Sequence, residues 1–118
     1  MKDDRLFLAH IAECVTRVQR YTADGRAAFD ADERTQDAVI RNLQVLAESC
    51  GRLSPALKAA HAAIDWRAIN GFRNVVVHDY FHIEFDEIWR IIEDDLPLLG
   101  AVIAQELRDR RAAEQDDD

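Results

Sequence analysis

Apolar residues recur at three- and four-residue intervals along nearly the whole chain, and no segment alternates apolar with polar residues as a half-buried strand would. Phe7, Ile11, Cys14, Val15 and Val18 form one stripe, and Val39, Leu43, Leu46 and Cys50 form a second. Phe85, Ile88, Trp89 and Ile92 form a third. Each stripe is one face of an amphipathic helix, and such faces are buried by packing helix on helix. The expected fold is therefore all-α, an antiparallel helical bundle of four to five helices. At 118 residues the chain supports one hydrophobic core and not two.

Stop and start signals divide the pattern. The first helix is expected from about Asp4 to Tyr21. Thr22 to Asp32, with Gly25 and several small or acidic residues, is the loosest part. A second helix starts near Asp32 or Glu33, and Gly51 lies close to its end, where glycine commonly stops a helix. Ser54-Pro55 opens a short helix to about Ala63, because the hydroxyl caps the orphan N–H groups and proline is preset for the first turn. Asp65 then caps a helix from Trp66 to about Tyr80. The last helix begins near Phe85 and continues through Leu99, Val102, Ile103 and Leu107 to about Arg111, with Pro97 expected to kink or interrupt it. Residues 1–112 are read as one domain and 113–118 as an acidic flexible tail.

Hydrophobic residues make up 48% of the chain against only four Gly and two Pro, a globular composition and not a disordered one. Fifteen basic and twenty-three acidic residues give a net charge of −8. Such a chain is poorly suited to wrapping nucleic acid nonspecifically, since phosphate neutralisation supplies that affinity. Any nucleic-acid contact must be local, at clustered arginines, and must weaken with salt. Cys14 and Cys50 fall on apolar faces and read as reduced core thiols, ahead of a disulfide or reactive pair. The charged start Met1-Lys2-Asp3-Asp4-Arg5 is unlike a signal peptide, and no apolar stretch approaches a membrane span. A soluble cytoplasmic protein without membrane contact is expected.

The chemistry is concentrated in Arg73-Asn74-Val75-Val76-Val77-His78-Asp79-Tyr80. An arginine holds phosphate with a fork of donors, a histidine moves protons near neutral pH, and a phenol donates a hydrogen bond or accepts a covalent group. RNA carries its own nucleophile, the 2′-hydroxyl, so His78 as base or acid and Arg73 as anchor for phosphate charge would suffice without a metal. Asn74 lies four residues before His78 and can orient the imidazole. Arg73 and His78 are five apart and do not face each other directly. The long arginine stem, a helix ending near His78, or two copies meeting across a dimer would bring them together. Val75, Val76 and Asp79 lie opposite, where the valines can anchor the helix in the core. The plainer readings are a surface Arg–His pair and core or interface aromatics at Tyr80 and Phe81. Trp66, Phe72, Phe85 and Trp89 read as packing residues, His10 and His61 as surface or boundary histidines, and Arg108, Arg110 and Arg111 as a solvated helix end. His82 follows His78 by four residues, a metal-gripping interval. Asp79 and Glu84 are nearby but no third ligand is evident, so a metal-dependent nuclease is the least favoured reading and no cofactor is expected.

With its flanks, this segment resembles the motif of the small HEPN-domain toxins encoded beside minimal nucleotidyltransferases, the HepT-like ribonuclease toxins. Their motif is Arg, four residues, His, any residue, Tyr, with a polar residue after the arginine. Asp37-Ala38-Val39-Ile40-Arg41-Asn42-Leu43 resembles the family's second helix. Leu53-Ser54-Pro55 and Ile64-Asp65-Trp66-Arg67-Ala68-Ile69-Asn70-Gly71-Phe72 resemble its approach to the motif, and Ile88-Trp89 with Asp94-Asp95-Leu96-Pro97 its final helix. The resemblance implies a metal-independent endoribonuclease toxin, usually a homodimer whose two motifs line a shared cleft. Arg73 and His78 would be the catalytic pair, Asn74 its polar support, and Tyr80 the site where the minimal nucleotidyltransferase antitoxin attaches AMP. His82 departs from the pattern at a place where glycine is common. The rival reading is a non-catalytic helical adaptor that binds the nucleotidyltransferase partner or nucleotides.

Overall fold

The computed structural model describes residues 2–116 and, at Lys2, Asp3, Tyr80 and Asp116, the backbone alone. Among the described residues all regular structure is helical. Two long helices, α1 (Lys2–Tyr21) and α3 (Glu33–Gly51), are joined through the short α2 (Arg26–Ala31). The short α4 (Pro55–Ala60) leads to α5 (Trp66–His78) and a 3-10 turn, Tyr80–His82. Then α6 (Phe85–Arg90) runs through a π-helical turn, Ile91–Asp95, into α7 (Leu96–Asp116).

α1 packs most extensively on α3 and next on α7, while α5 rests on α3. Ser54, just past α3, donates to Asp4 at the start of α1, and Arg5 pairs with Glu114 near the end of α7. α1 therefore runs antiparallel to both neighbours. Leu8, Ile11, Val18, Val39 and Ile103, with Ile88 of α6, are fully buried in one core, each contributing roughly 1.5–3 kcal/mol of apolar burial. α1 and α7 approach tightly at Gly100, where an added Cβ would lie 3.1 Å from Val15 Cγ1.

The expected helix starts have their chemical cause in the structure. Asp32 accepts from the Arg34 N–H at 3.0 Å and the Thr35 hydroxyl at 2.9 Å. Ser54 accepts from the Leu57 N–H at 3.3 Å, with Pro55 opening α4, and Asp65 accepts from the Ala68 N–H at 3.0 Å. Cys14 and Cys50 are buried and unbridged. Burial pushes both thiols up, Cys50 to about 12, so they stay protonated at neutral pH.

Several boundaries differ from expectation. The stretch expected to be loosest contains α2, whose Phe29 is 1% exposed and meets the Phe85 ring edge-on at 5.4 Å. Gly51 is the last residue of α3, and Arg52 caps it in a right-handed conformation. The positive φ among the described residues belongs to Gly25, at 94°, where the chain turns into α2. The interruption expected at Pro97 lies just upstream. Proline offers no N–H to the preceding turn and its ring crowds that turn's carbonyl. The helix widens before it, and the Leu96 N–H reaches the Ile91 carbonyl five residues back. α7 also runs past the expected end near Arg111 to Asp116, since Ala112, Ala113, Glu114 and Gln115 are good helix formers without a stop signal. Asp117 and Asp118 of the expected tail lie outside the described residues. No helix among the described residues is long and apolar enough to cross a membrane.

Candidate functional site

α5 carries the motif and is fixed at its start. The Trp66 indole N–H donates to the Lys58 and His61 carbonyls, each at 3.1 Å, which ties α5 to the end of α4. Ile69 and Phe72 pack against the core, and Val76, 3% exposed, is the buried anchor of the helix. Of the motif's three valines, Val75, Val76 and Val77, Val76 alone is buried. Val75 is 45% and Val77 51% exposed, because neighbouring positions on a helix point about 100° apart and only one can meet α3.

Arg73 is half-buried, on the edge shared with Ile69 four residues before and Val76 three after. α5 ends at His78, which is exposed. Asp79 caps the helix end, its N–H donating to the Val75 carbonyl at 2.8 Å. Among the described residues, the side chains of Arg73, Asn74 and His78 make no hydrogen bond or ion pair. Asn74 therefore does not hold the imidazole in this state. On an ideal helix Arg73 and His78 diverge by roughly 140°, so one protomer presents both groups without converging them.

The chain then closes into the 3-10 turn, with the His82 N–H donating to the Asp79 carbonyl at 3.0 Å. The His82 ring Nδ1 is hydrogen-bonded to the Asp79 carboxylate. No non-glycine residue among those described has a positive φ, so this turn does not require the glycine expected at position 82. No group of three or more His, Cys, Asp or Glu among the described residues is gathered as a metal site. Tyr80 begins the turn, and its side chain lies outside the described residues. Phe81 beside it is 93% exposed.

Sequence reasoning passed over two neighbours on the outer face. Arg67, Asn70, Asn74 and His78 are all exposed and follow one another at helical three- and four-residue intervals. They make a polar stripe spanning about 16 Å at about 1.5 Å rise per residue. The signal was present in the sequence as polar residues in helical register ending on His78. Chemically the stripe offers a guanidinium, two amides and an imidazole, and Arg73 at its edge supplies a second guanidinium. This set suits a chain of phosphates and a proton transfer.

A cavity of about 470 Å³ lies elsewhere, between α5 and the α6–α7 rod, and neither Arg73 nor His78 lines it.

A family model described as Ribonuclease HepT-like matches residues 11–106. The chain is 30% identical over 94 residues to a protein named "Probable ribonuclease HepT" from Thermococcus cleftensis, covering 79% of this chain and 86% of that protein. It is 28% identical over 113 residues to the mRNA nuclease HepT of Shewanella oneidensis, covering 75% and 84%. A longer relative from Methanocaldococcus jannaschii, named "Gamma-glutamylcyclotransferase and putative RNase", is 27% identical over 99 residues, and the chain spans 45% of its length. No solved structure matches the chain significantly.

Proposed function

The chain belongs to the HepT-like ribonuclease family, and from that premise we propose that it is a metal-independent endoribonuclease, the toxin of a toxin–antitoxin pair, acting in the cytoplasm as a homodimer. The observation that carries this reading is the pair of groups on α5, the half-buried Arg73 and the exposed His78, both without a side-chain partner among the described residues. Such unpartnered groups suit a substrate's phosphate and hydroxyl.

In the proposed reaction His78 takes the proton from a ribose 2′-hydroxyl, whose oxygen attacks the adjacent phosphorus. The phosphorus–oxygen bond to the 5′ carbon breaks, and the departing oxygen receives a proton. The products are a 2′,3′-cyclic phosphate and a 5′-hydroxyl. Arg73 stabilises the charge that gathers on the non-bridging oxygens, the step where oriented donors contribute most. One imidazole cannot both remove and return a proton in the same displacement, and a second copy would supply the other. The exposed Val77 and Phe81 beside the motif support a dimer there, since exposed apolar groups favour association. Asn74 is the polar support in this cleft, and Arg67 and Asn70 extend it along the RNA backbone.

Control would fall on Tyr80. A minimal nucleotidyltransferase antitoxin would join AMP to its hydroxyl, the phenol oxygen attacking the α-phosphorus of a nucleoside triphosphate and pyrophosphate leaving. The adduct would place negative charge and bulk where RNA phosphate must sit. Tyr80→Phe would remove the attachment point.

The non-catalytic adaptor reading draws on one observation, the divergence of Arg73 and His78 within a protomer. Incubation of total RNA in EDTA with the unmodified protein and with a folded His78→Ala variant separates the two. Cleavage by the wild type alone supports the nuclease. Cleavage by neither, with intact mass showing a bare Tyr80, supports the adaptor.

A further inference from the structure

The cavity between α5 and the α6–α7 rod is a groove with an apolar floor and an acidic rim. Leu46, Ile64, Ile69, Phe72 and Leu99 form part of the floor, and Val75 and Leu98, 45% and 48% exposed, stand at its edge. Five carboxylates line it: Asp65, Glu84, Glu87, Asp94 and Asp95. The basic groups there are engaged. Arg90 is held by Glu87 at 2.8 Å and Asp95 at 3.2 Å, and the His82 ring is held by Asp79. Asp65 is committed to its cap, whereas Glu84 and Asp94 are exposed and make no side-chain hydrogen bond or ion pair among the described residues.

We propose that this groove docks an amphipathic helix of a partner protein, one whose apolar stripe is flanked by lysines or arginines. The floor is built from α3, α5 and α7 together with Ile64 just before α5, so ridge-into-groove packing of another helix is the matching geometry. No strand among the described residues offers an edge for pairing an extended peptide. Charge decides the class of partner. Glu84 and Asp94 are the exposed, unengaged carboxylates of the lining, and a basic helix meets them with complementary potential. The site lies apart from Arg73 and His78, so the protein can be held by a partner without its RNA-facing stripe being covered. This inference does not depend on the nuclease reading.

The test uses the full chain and a fluorescein-labelled leucine/lysine helix of about 18 residues, long enough to form a helix on binding. A leucine/glutamate peptide with the same leucine stripe serves as control. The expected result is saturable binding of the lysine peptide, weakened by about tenfold or more in Glu84→Lys/Asp94→Lys and in Leu98→Asp. An equal charge change away from the groove, Asp24→Lys/Asp109→Lys, is expected to cost less than about twofold. Equal binding of the glutamate peptide, or equal losses in the groove and remote variants, would overturn the proposal. So would conversion of a dimer to monomers by Leu98→Asp in light scattering, which would make a second copy the occupant. Binding is read without RNA, so either outcome leaves the proposed cleavage reaction to its own test.

Discussion

The carboxylate of Asp4 accepts two hydrogen bonds from one residue, Ser54, from its backbone N–H at 2.8 Å and from its hydroxyl at 2.6 Å. The same hydroxyl caps α4, and Arg110 of α7 stands 3.7 Å from the carboxylate. A single 3%-exposed acid thus joins the start of α1 to the α3–α4 turn and to α7. Burial alone would raise its pKa, but the two Ser54 bonds and the Arg110 charge together bring it below the ordinary carboxylate value.

Asp4→Asn is expected to destabilise the fold by about 1–3 kcal/mol, the range for disrupting a buried charge-assisted bond. The acid limb of stability should change as well. Because the folded-state value is the lower one, the unfolded chain binds more protons in the acid range. The Asp4 contribution is therefore complete above about pH 4 and is lost as pH falls through the folded-state value. Thermal melts of both proteins from neutral pH to about pH 3 check this. The gap between them should narrow in acid, and a constant gap would contradict it.

The proposed cleft takes a histidine from each of two copies, so mixing should be punishing. At equal amounts of wild type and His78→Ala, exchanged to equilibrium, about a quarter of dimers carry two intact histidines in a symmetric assembly. RNA cleavage should fall to about one quarter of that from the same total of wild type. Independent protomers would retain about one half.

In the proposed cleft Arg67 lies on the substrate track and away from the reacting groups. Arg67→Ala is expected to raise KM for RNA by roughly three- to tenfold, with kcat changed by less than about twofold. The slope of log affinity against log salt should become shallower by about one phosphate contact. A fall in kcat with KM unchanged would move Arg67 out of this role.

The residues that announced themselves in the sequence were those whose local chemistry is self-contained. Ser54-Pro55, Asp32 and Asp65 start helices because each cap acts within three residues. Apolar stripes recovered most of the core for the same reason. Phe29 was missed because a six-residue helix is too short to show a period, and its burial comes from distant partners, Phe85 and Trp89. The π turn was missed because it answers Pro97 in the turn before it. At the motif, residue types and register were legible, including the divergence of Arg73 from His78. Arg67 and Asn70 went unremarked because polar residues on an outer face look like ordinary solvated surface until the helix is known to end at His78. The groove beside α5 could not be read at all, since its walls come from segments far apart in the chain.

In the proposed reaction His78 drives attack by RNA's own 2′-hydroxyl. End-group analysis of RNA fragments made in EDTA tests it most directly, using wild type, His78→Ala, and a substrate carrying 2′-deoxyribose at the cleaved position. The expected result is 2′,3′-cyclic phosphate and 5′-hydroxyl ends from the wild type. His78→Ala should yield at most about one hundredth of that cleavage, and the deoxy position should stay intact. Cleavage at the deoxy position, or undiminished cleavage by His78→Ala, would contradict it.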